Sequence, residues 1–264
     1  MMILLFLPFS GNTQDSENTK ERIYKFDWKK DLIIVGSGVG LSILGQVATN
    51  NVNPSTLAEI NALDPMDVNG FDRGAITNDS EVARDISDVI LYSSLSLPVI
   101  AYFLPKCRFE GVSIGLMAVE AVLLTNGVTN ITKGLARRTR PLAYNTNNSL
   151  EERMLSSSRL SFFSGHASVT TAMSFLAGSI ITDVHPNMKN KYLVWTAAAV
   201  IPASIAYFRF EGGKHFPTDV IGGYIVGGAI GYLIPKIHKQ KKENKKLRIG
   251  SYGLTGLSLN LNLN

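Results

Sequence analysis

Residues 111–140 read GVSIGLMAVEAVLLTNGVTNITKGLARRTR: an apolar run from Gly111 to Thr132 feeds directly into a group of lysine and arginine that Pro141 closes. A bilayer span needs about 20 mainly apolar residues, so this run is long enough to cross one as a helix. Five further stretches resemble it: Leu32–Thr49, Val89–Pro105, Ala167–Thr182, Tyr192–Phe208 and Val220–Pro235. All are rich in Gly, Ala, Ser and Thr, which let helix backbones approach closely in a membrane, although a tight soluble bundle uses the same residues. The expected fold is all-α, a helical bundle of about six core helices, read as transmembrane.

Charge placement favours the membrane reading. If KERIYKFDWKKD (20–31) is cytoplasmic and all six stretches span, the link 106–110 and the lysine-dense tail KIHKQKKENKKLR (236–248) also fall inside. The links 133–166 and 209–219 then share the outer face. That count predicts an inner-membrane protein whose polar clusters face the periplasm or exterior. Met1–Phe9 reads as a short secretory signal lacking a basic n-region, or as the product of a start assigned too late. If it is cleaved, Leu32–Thr49 packs on the bundle instead of spanning. The expected organisation is an N-terminal apolar segment 1–19, a single domain 20–248 and a tail 249–264, whose GLSLNLNLN alternates with the period of a strand but has no evident partner.

Three basic clusters punctuate the apolar runs: Lys133–Pro141, Ser164-Gly165-His166 and Arg209-FEGGK-His215-FPT-Asp219. Arginine contacts phosphate oxygens bidentately, and lysine adds a compact charge. Lys133, Arg137 and Arg140 stand at i, i+4 and i+7, one face if the helix continues to Pro141. Ser164 is an N-cap residue for the run that follows, which puts Gly165 and His166 in a first turn with exposed amides, an anion site. His215 and Asp219 lie four residues apart around Pro217, so the carboxylate can orient the imidazole. A neutral His215 can attack phosphorus while a protonated His166 gives its proton to the departing oxygen. Taken singly, each cluster also has an ordinary reading as a flanking charge group, a helix cap or a local hydrogen bond.

In ordered combination the clusters resemble the type 2 phosphatidic acid phosphatase superfamily, which also contains class A acid phosphatases and vanadium haloperoxidases. Its signature runs Lys-x6-Arg-Pro, Pro-Ser-Gly-His and Ser-Arg-x5-His-x3-Asp. Lys133, Arg140 and Pro141 match the first element, Ser164, Gly165 and His166 the second, and Arg209, His215 and Asp219 the third. Phe163 and Phe208 replace the family's proline and serine, which bears on loop shape and substrate fit. The resemblance implies phosphate binding by Lys133, Arg140, Ser164, Gly165 and Arg209, His166 as acid, His215 as nucleophile, and Asp219 as its partner, with no metal and no cofactor. It implies a phosphatase acting on a phosphate monoester or pyrophosphate; the membrane setting suggests phosphorylated lipids or polyprenyl pyrophosphates. A soluble periplasmic acid phosphatase, a vanadium-dependent haloperoxidase and a silent membrane scaffold are the alternatives.

The remaining residues receive plainer readings. Arg137, Arg138 and Lys214 read as solvated or headgroup-facing charges, and His185 and His238 as surface residues. Residues 50–87 read as an outer loop with a short helix, able to cover the site, with Asp72 and Arg73 a solvated pair. In the 264-residue chain, Cys107 is the single cysteine, so neither an internal disulfide nor a cysteine metal site is expected. The net charge of +5 comes with no nucleic-acid-binding motif or aromatic platform, so no nucleic acid partner is expected.

Overall fold

The computed structural model describes residues 22–105, 107–240, 248–252 and 256–260. The 1–19 segment and most of the basic tail lie outside them. Helices α1 (Trp28–Asn50), α2 (Leu57–Asn61), α3 (Glu81–Ser94), α4 (Leu97–Tyr102), α5 (Gly111–Ala136), α6 (Pro141–Tyr144), α7 (Leu150–Met154), α8 (Gly165–Val184), α9 (Lys191–Glu211) and α10 (Pro217–His238) follow in order. A short antiparallel hairpin comes last, β1 (Arg248–Tyr252) paired with β2 (Gly256–Asn260). The alternating C-terminal residues thus do find a partner, the segment immediately before them.

Among the described residues, five helices, α1, α5, α8, α9 and α10, are long and apolar enough to cross a membrane. Their outward faces are apolar too: Leu32, Ile33, Ile43 and Leu44 on α1, Val200 on α9 and Ile225 on α10 are all exposed. Apolar surface this extensive is what a lipid-facing bundle presents, and a water-facing one avoids. The sixth stretch is a correction. Val89–Pro105 does not form one helix; it divides between α3 and α4, with Pro98 in the first turn of the second piece. The two pieces still cross the bundle together, from Arg84 beside Gly212 at one end to Leu104 and Cys107 in the core cluster around Tyr24 at the other.

α8 is the central helix, with most of its length buried. α10 lies against it through Gly223, Gly227 and Gly231, one face at every fourth residue. A Cβ at these positions would fall 2.4, 2.0 and 2.2 Å from the backbone oxygens of Ser164, Ser168 and Ala172. Only glycine permits that approach.

The bundle has two distinct ends. At one, Ala48 meets Gly134 and Arg84 meets Gly212. At the other, the 22–27 strap is tied down: Ile23 N donates to Glu110 Oε1 at 2.7 Å, Lys25 N donates to His238 O at 2.9 Å, and Tyr24 OH donates to Asp183 at 3.2 Å. All three basic clusters emerge at the first end. The 51–80 segment covers that end as expected, through α2, two 3-10 turns, and Val68, Ala75 and Ile76 packed on Phe216.

Candidate active site

α5 ends earlier than the spacing suggests. It stops at Ala136, and Arg137 takes a left-handed conformation (φ 45°), so Lys133, Arg137 and Arg140 do not share a helical face. The turn sends Arg137 outward and reverses the chain. Arg140 instead becomes the residue preceding α6, in extended backbone with Pro141 following. Lys133, in the last turn of α5, is buried and donates through Nζ to Leu160 O at 2.7 Å; Arg140 Nη2 lies 3.5 Å from the same carbonyl. The two cations therefore meet without a common helix.

Ser164 is the N-cap of α8, its hydroxyl accepting from Ala167 N at 3.4 Å, and Gly165 and His166 open the first turn. Nothing closer than Thr129 Cγ2 at 3.6 Å would meet a side chain at Gly165, so its backbone stands open. Arg209 closes α9 and donates from Nη1 to Ser87 Oγ at 3.2 Å. His215 is almost wholly buried. Burial pushes its imidazole well below the ordinary value, and the charges of Lys133, Arg140, Arg209 and His166 push it the same way. Residues from four separate elements thus act on one imidazole, which is neutral at neutral pH.

Asp219 departs from the simple orienting role. Its Oδ2 lies 3.6 Å from His215 Nδ1, beyond hydrogen-bonding distance. Instead Oδ2 accepts from Ser161 Oγ at 2.5 Å and Phe216 N at 2.9 Å, while Oδ1 accepts from Arg138 Nη1 at 2.5 Å. Its backbone oxygen also accepts from Ser164 N at 3.0 Å, joining the second and third clusters directly.

Arg138 and Asp72 correct the plain readings given to them. Arg138 bridges two fully buried carboxylates, Asp219 and Asp72 (Nη2 to Oδ2, 2.7 Å), and stacks over Phe216 with Cζ 4.4 Å from the ring centre. Burial would raise the Asp72 carboxyl, but hydrogen bonds from Thr218, Asn69 and Arg138 outweigh it and hold the group below the usual carboxylate value. Arg73 is not solvated either: its guanidinium donates to Val68 O. Lys214 is half-buried against Glu152 at 2.7 Å. His185 caps the end of α8, half-buried, and His238 is fully buried at the far end.

Asp88 on α3 was not singled out. Its carboxylate sits 2.7 Å from His166 Nε2 and 3.6 Å from Arg209 Nη1, in contact with residues of two clusters. The only signal was its place immediately before the apolar run at Val89. Ser87 and Ser161 carried no signal at all.

Among the described residues, Arg140 Nε, Arg209 Nε and His215 Nδ1 are buried with no hydrogen-bond partner. An unsatisfied buried polar group costs about 1–3 kcal/mol, so leaving three in one site requires compensation. A tetrahedral oxyanion placed between the two arginines, Lys133 and the α8 N-terminus would supply acceptors to the two guanidiniums.

Residues 114–243, which contain all three clusters, match the family model described as the PAP2 superfamily. The lipid A 4'-phosphatase of Porphyromonas gingivalis is 31% identical over 77 residues, covering 29% of this chain and 29% of that protein. Among solved structures, a transmembrane PAP2-type phosphatidylglycerolphosphate phosphatase from Bacillus subtilis superposes with a TM-score of 0.48 at 21% identity, covering 76% of this chain and 94% of that one. Three motif elements in the expected order, gathered at one end of an apolar helical bundle, together with the family match, place residues 114–243 in the PAP2 superfamily.

Proposed function

We propose that the protein is a metal-independent phosphatase that hydrolyses a lipid-linked phosphate monoester or pyrophosphate through a phosphohistidine at His215. The observation that carries this reading is the pair of buried, unpartnered guanidinium nitrogens, Arg140 Nε and Arg209 Nε, beside a neutral buried His215. Lys133, Arg140, Arg209 and the amides of Gly165 and His166 hold the phosphoryl oxygens, with Ser164 fixing the helix that presents those amides. His215 Nδ1–H turns toward Asp219, and the Nε2 lone pair attacks phosphorus. Burial and the Arg209 charge lower the His166 imidazole to about 4 against the pull of Asp88, and the bound phosphate dianion opposes that shift, so His166 takes up a proton with the substrate and passes it to the leaving oxygen as that bond breaks. His166, now neutral, takes a proton from water, whose oxygen attacks the phosphohistidine; inorganic phosphate leaves and both histidines return to their starting states.

The lipid-linked substrate class is supported by the apolar outer faces of the helices and by the lipid A 4'-phosphatase relative. Lys25, Lys29, Lys30, Lys189, Lys191, Lys236 and Lys239 all emerge at the end remote from the site. That supports an inner-membrane orientation with the site toward the periplasm or exterior. A single catalytic domain over 20–248 accounts for every site residue. His215→Ala tests the mechanism: no phosphoenzyme forms and turnover is lost, whereas substantial remaining hydrolysis of a detergent-solubilised substrate removes His215 as nucleophile.

A further inference from the structure

At the end of the bundle opposite the phosphate site, α1, α5 and α10 bring Asp31, Glu120 and His238 together beneath the 22–27 strap. All three are buried, Glu120 completely. His238 Nε2 stands 3.0 Å from Asp31 Oδ1 and 3.2 Å from Glu120 Oε2, and the donor atoms of the three residues lie within 4.8 Å of one another.

The surroundings of each group fix how it is presented. His238 Nδ1 is 2.9 Å from Ile234 O, an atom that can only accept, so Nδ1 carries the proton and Nε2 faces the carboxylates. A backbone carbonyl behind one ring nitrogen is the usual outer support of a metal-ligating histidine. Asp31 Oδ2 accepts from Asp27 N at 2.9 Å, which locks that carboxylate and leaves Oδ1 for the cluster. Glu120 Oε1 is buried with no hydrogen-bond donor among the described residues.

Charge then decides what the cluster suits. With the proton on Nδ1 alone, the group carries two buried negative charges, and among the described residues its ion-pair contacts are internal. The neighbouring lysine, Lys30, donates elsewhere, to Ile237 O at 3.0 Å. A second proton on His238 offsets one charge and still leaves Glu120 Oε1 without a partner. A divalent cation offsets both and engages that oxygen. The spacing fits as well: metal–ligand bonds of about 2.0–2.1 Å place neighbouring tetrahedral donors about 3.3 Å apart, so the 3.0 and 3.2 Å from His238 Nε2 to the two carboxylates need to widen by only a few tenths of an ångström, and the carboxylate pair already lies within 4.8 Å.

We infer that Asp31, Glu120 and His238 form a structural divalent-metal site of the zinc type, with His238 Nε2, Asp31 Oδ1 and both oxygens of Glu120 as ligands. Its role is to pin the start of α1 and the end of α10 to α5. It lies apart from the phosphate cradle, which remains metal-independent.

The test uses the full chain in detergent, stripped with chelator and then titrated with Co2+ and with Zn2+. One equivalent of Co2+ should give visible d–d absorption that Zn2+ abolishes, and Zn2+ should raise Tm. Glu120→Gln and His238→Gln should each lose the absorption and the Zn2+-dependent rise. A stripped wild type that shows neither Co2+ absorption nor a Zn2+ response overturns the proposal and leaves the cluster as a protonated imidazole between carboxylates. Metal retained undiminished by both folded variants also overturns it. If neither variant folds, the wild-type Co2+ stoichiometry and Zn2+ response decide alone.

Discussion

Replacing Gly227 with alanine tests how the two halves of the site are held in register. The added Cβ falls 2.0 Å from Ser168 O and 2.7 Å from Ser168 C, whereas ordinary contact begins at 3.4 Å. The obstruction is backbone, so no rotamer change relieves it. To recover a shortfall of about 1.4 Å, α10 must slide or tilt away from α8 by roughly an ångström. Overpacking of this kind costs about 1–3 kcal/mol of stability. It also moves Asp219, together with the preceding His215, relative to Ser164 and His166, and a misplacement of about 1 Å can cost on the order of a hundredfold in rate.

The assay pairs thermal unfolding in detergent with kcat/KM for an aryl phosphate. Gly36→Ala is the control: it lies in α1 and its Cβ would meet nothing within 4 Å. That variant should match the wild type in both measurements, while Gly227→Ala should lose both stability and rate. Wild-type Tm and rate in Gly227→Ala would refute the close α8–α10 contact. A lower Tm with unchanged kcat/KM would refute the claim that this contact aligns the site.

Arg138→Ala should cost about 3–5 kcal/mol, because it strands Asp72 and Asp219 as buried charges; adding Asp72→Asn should restore part of the lost Tm, and an unaffected single variant would contradict the bridge. Burial and surrounding cations hold the His215 imidazole below 6.5, so phosphoenzyme formation should persist as pH falls through 6.5 and fail only when His215 protonates in the fold. The stability that neutral His215 allows is complete above 6.5 and is lost as pH falls through the depressed folded value; an acid limb at or above 6.5 that tracks His215 would count against this. His166→Ala should slow hydrolysis most for poor leaving groups, and an equal loss with an activated aryl phosphate would remove it as the acid.

How much of this was legible in the sequence depends on whether a residue's partner is near in the chain. Ser164 as a cap and the apolar faces of α5, α8, α9 and α10 are local signals, and they read correctly. Arg138 failed because its partners are 66 and 81 positions away, so nothing beside it distinguished a bridging guanidinium from a solvated one. His238 failed in the same way, its carboxylates coming from α1 and α5. The early end of α5 failed for a different reason: a basic residue in left-handed backbone at Arg137 has no characteristic sequence signal, since glycine or asparagine usually marks that position.

The corrected geometry changes what the third motif element does. Asp219 offers its carboxylate to Arg138, Ser161 and the Phe216 amide, and its backbone carbonyl to Ser164. It therefore fixes the start of α10 against the start of α8 through the same residue that lies 3.6 Å from His215. Arg138 then ties that residue to Asp72, and through it to the covering segment 51–80. Asp219 meets Arg138 through its carboxylate and Ser164 through its backbone carbonyl, so the cover reaches the start of α8 through Asp72, Arg138 and Asp219, beside the apolar contact of Val68, Ala75 and Ile76 with Phe216.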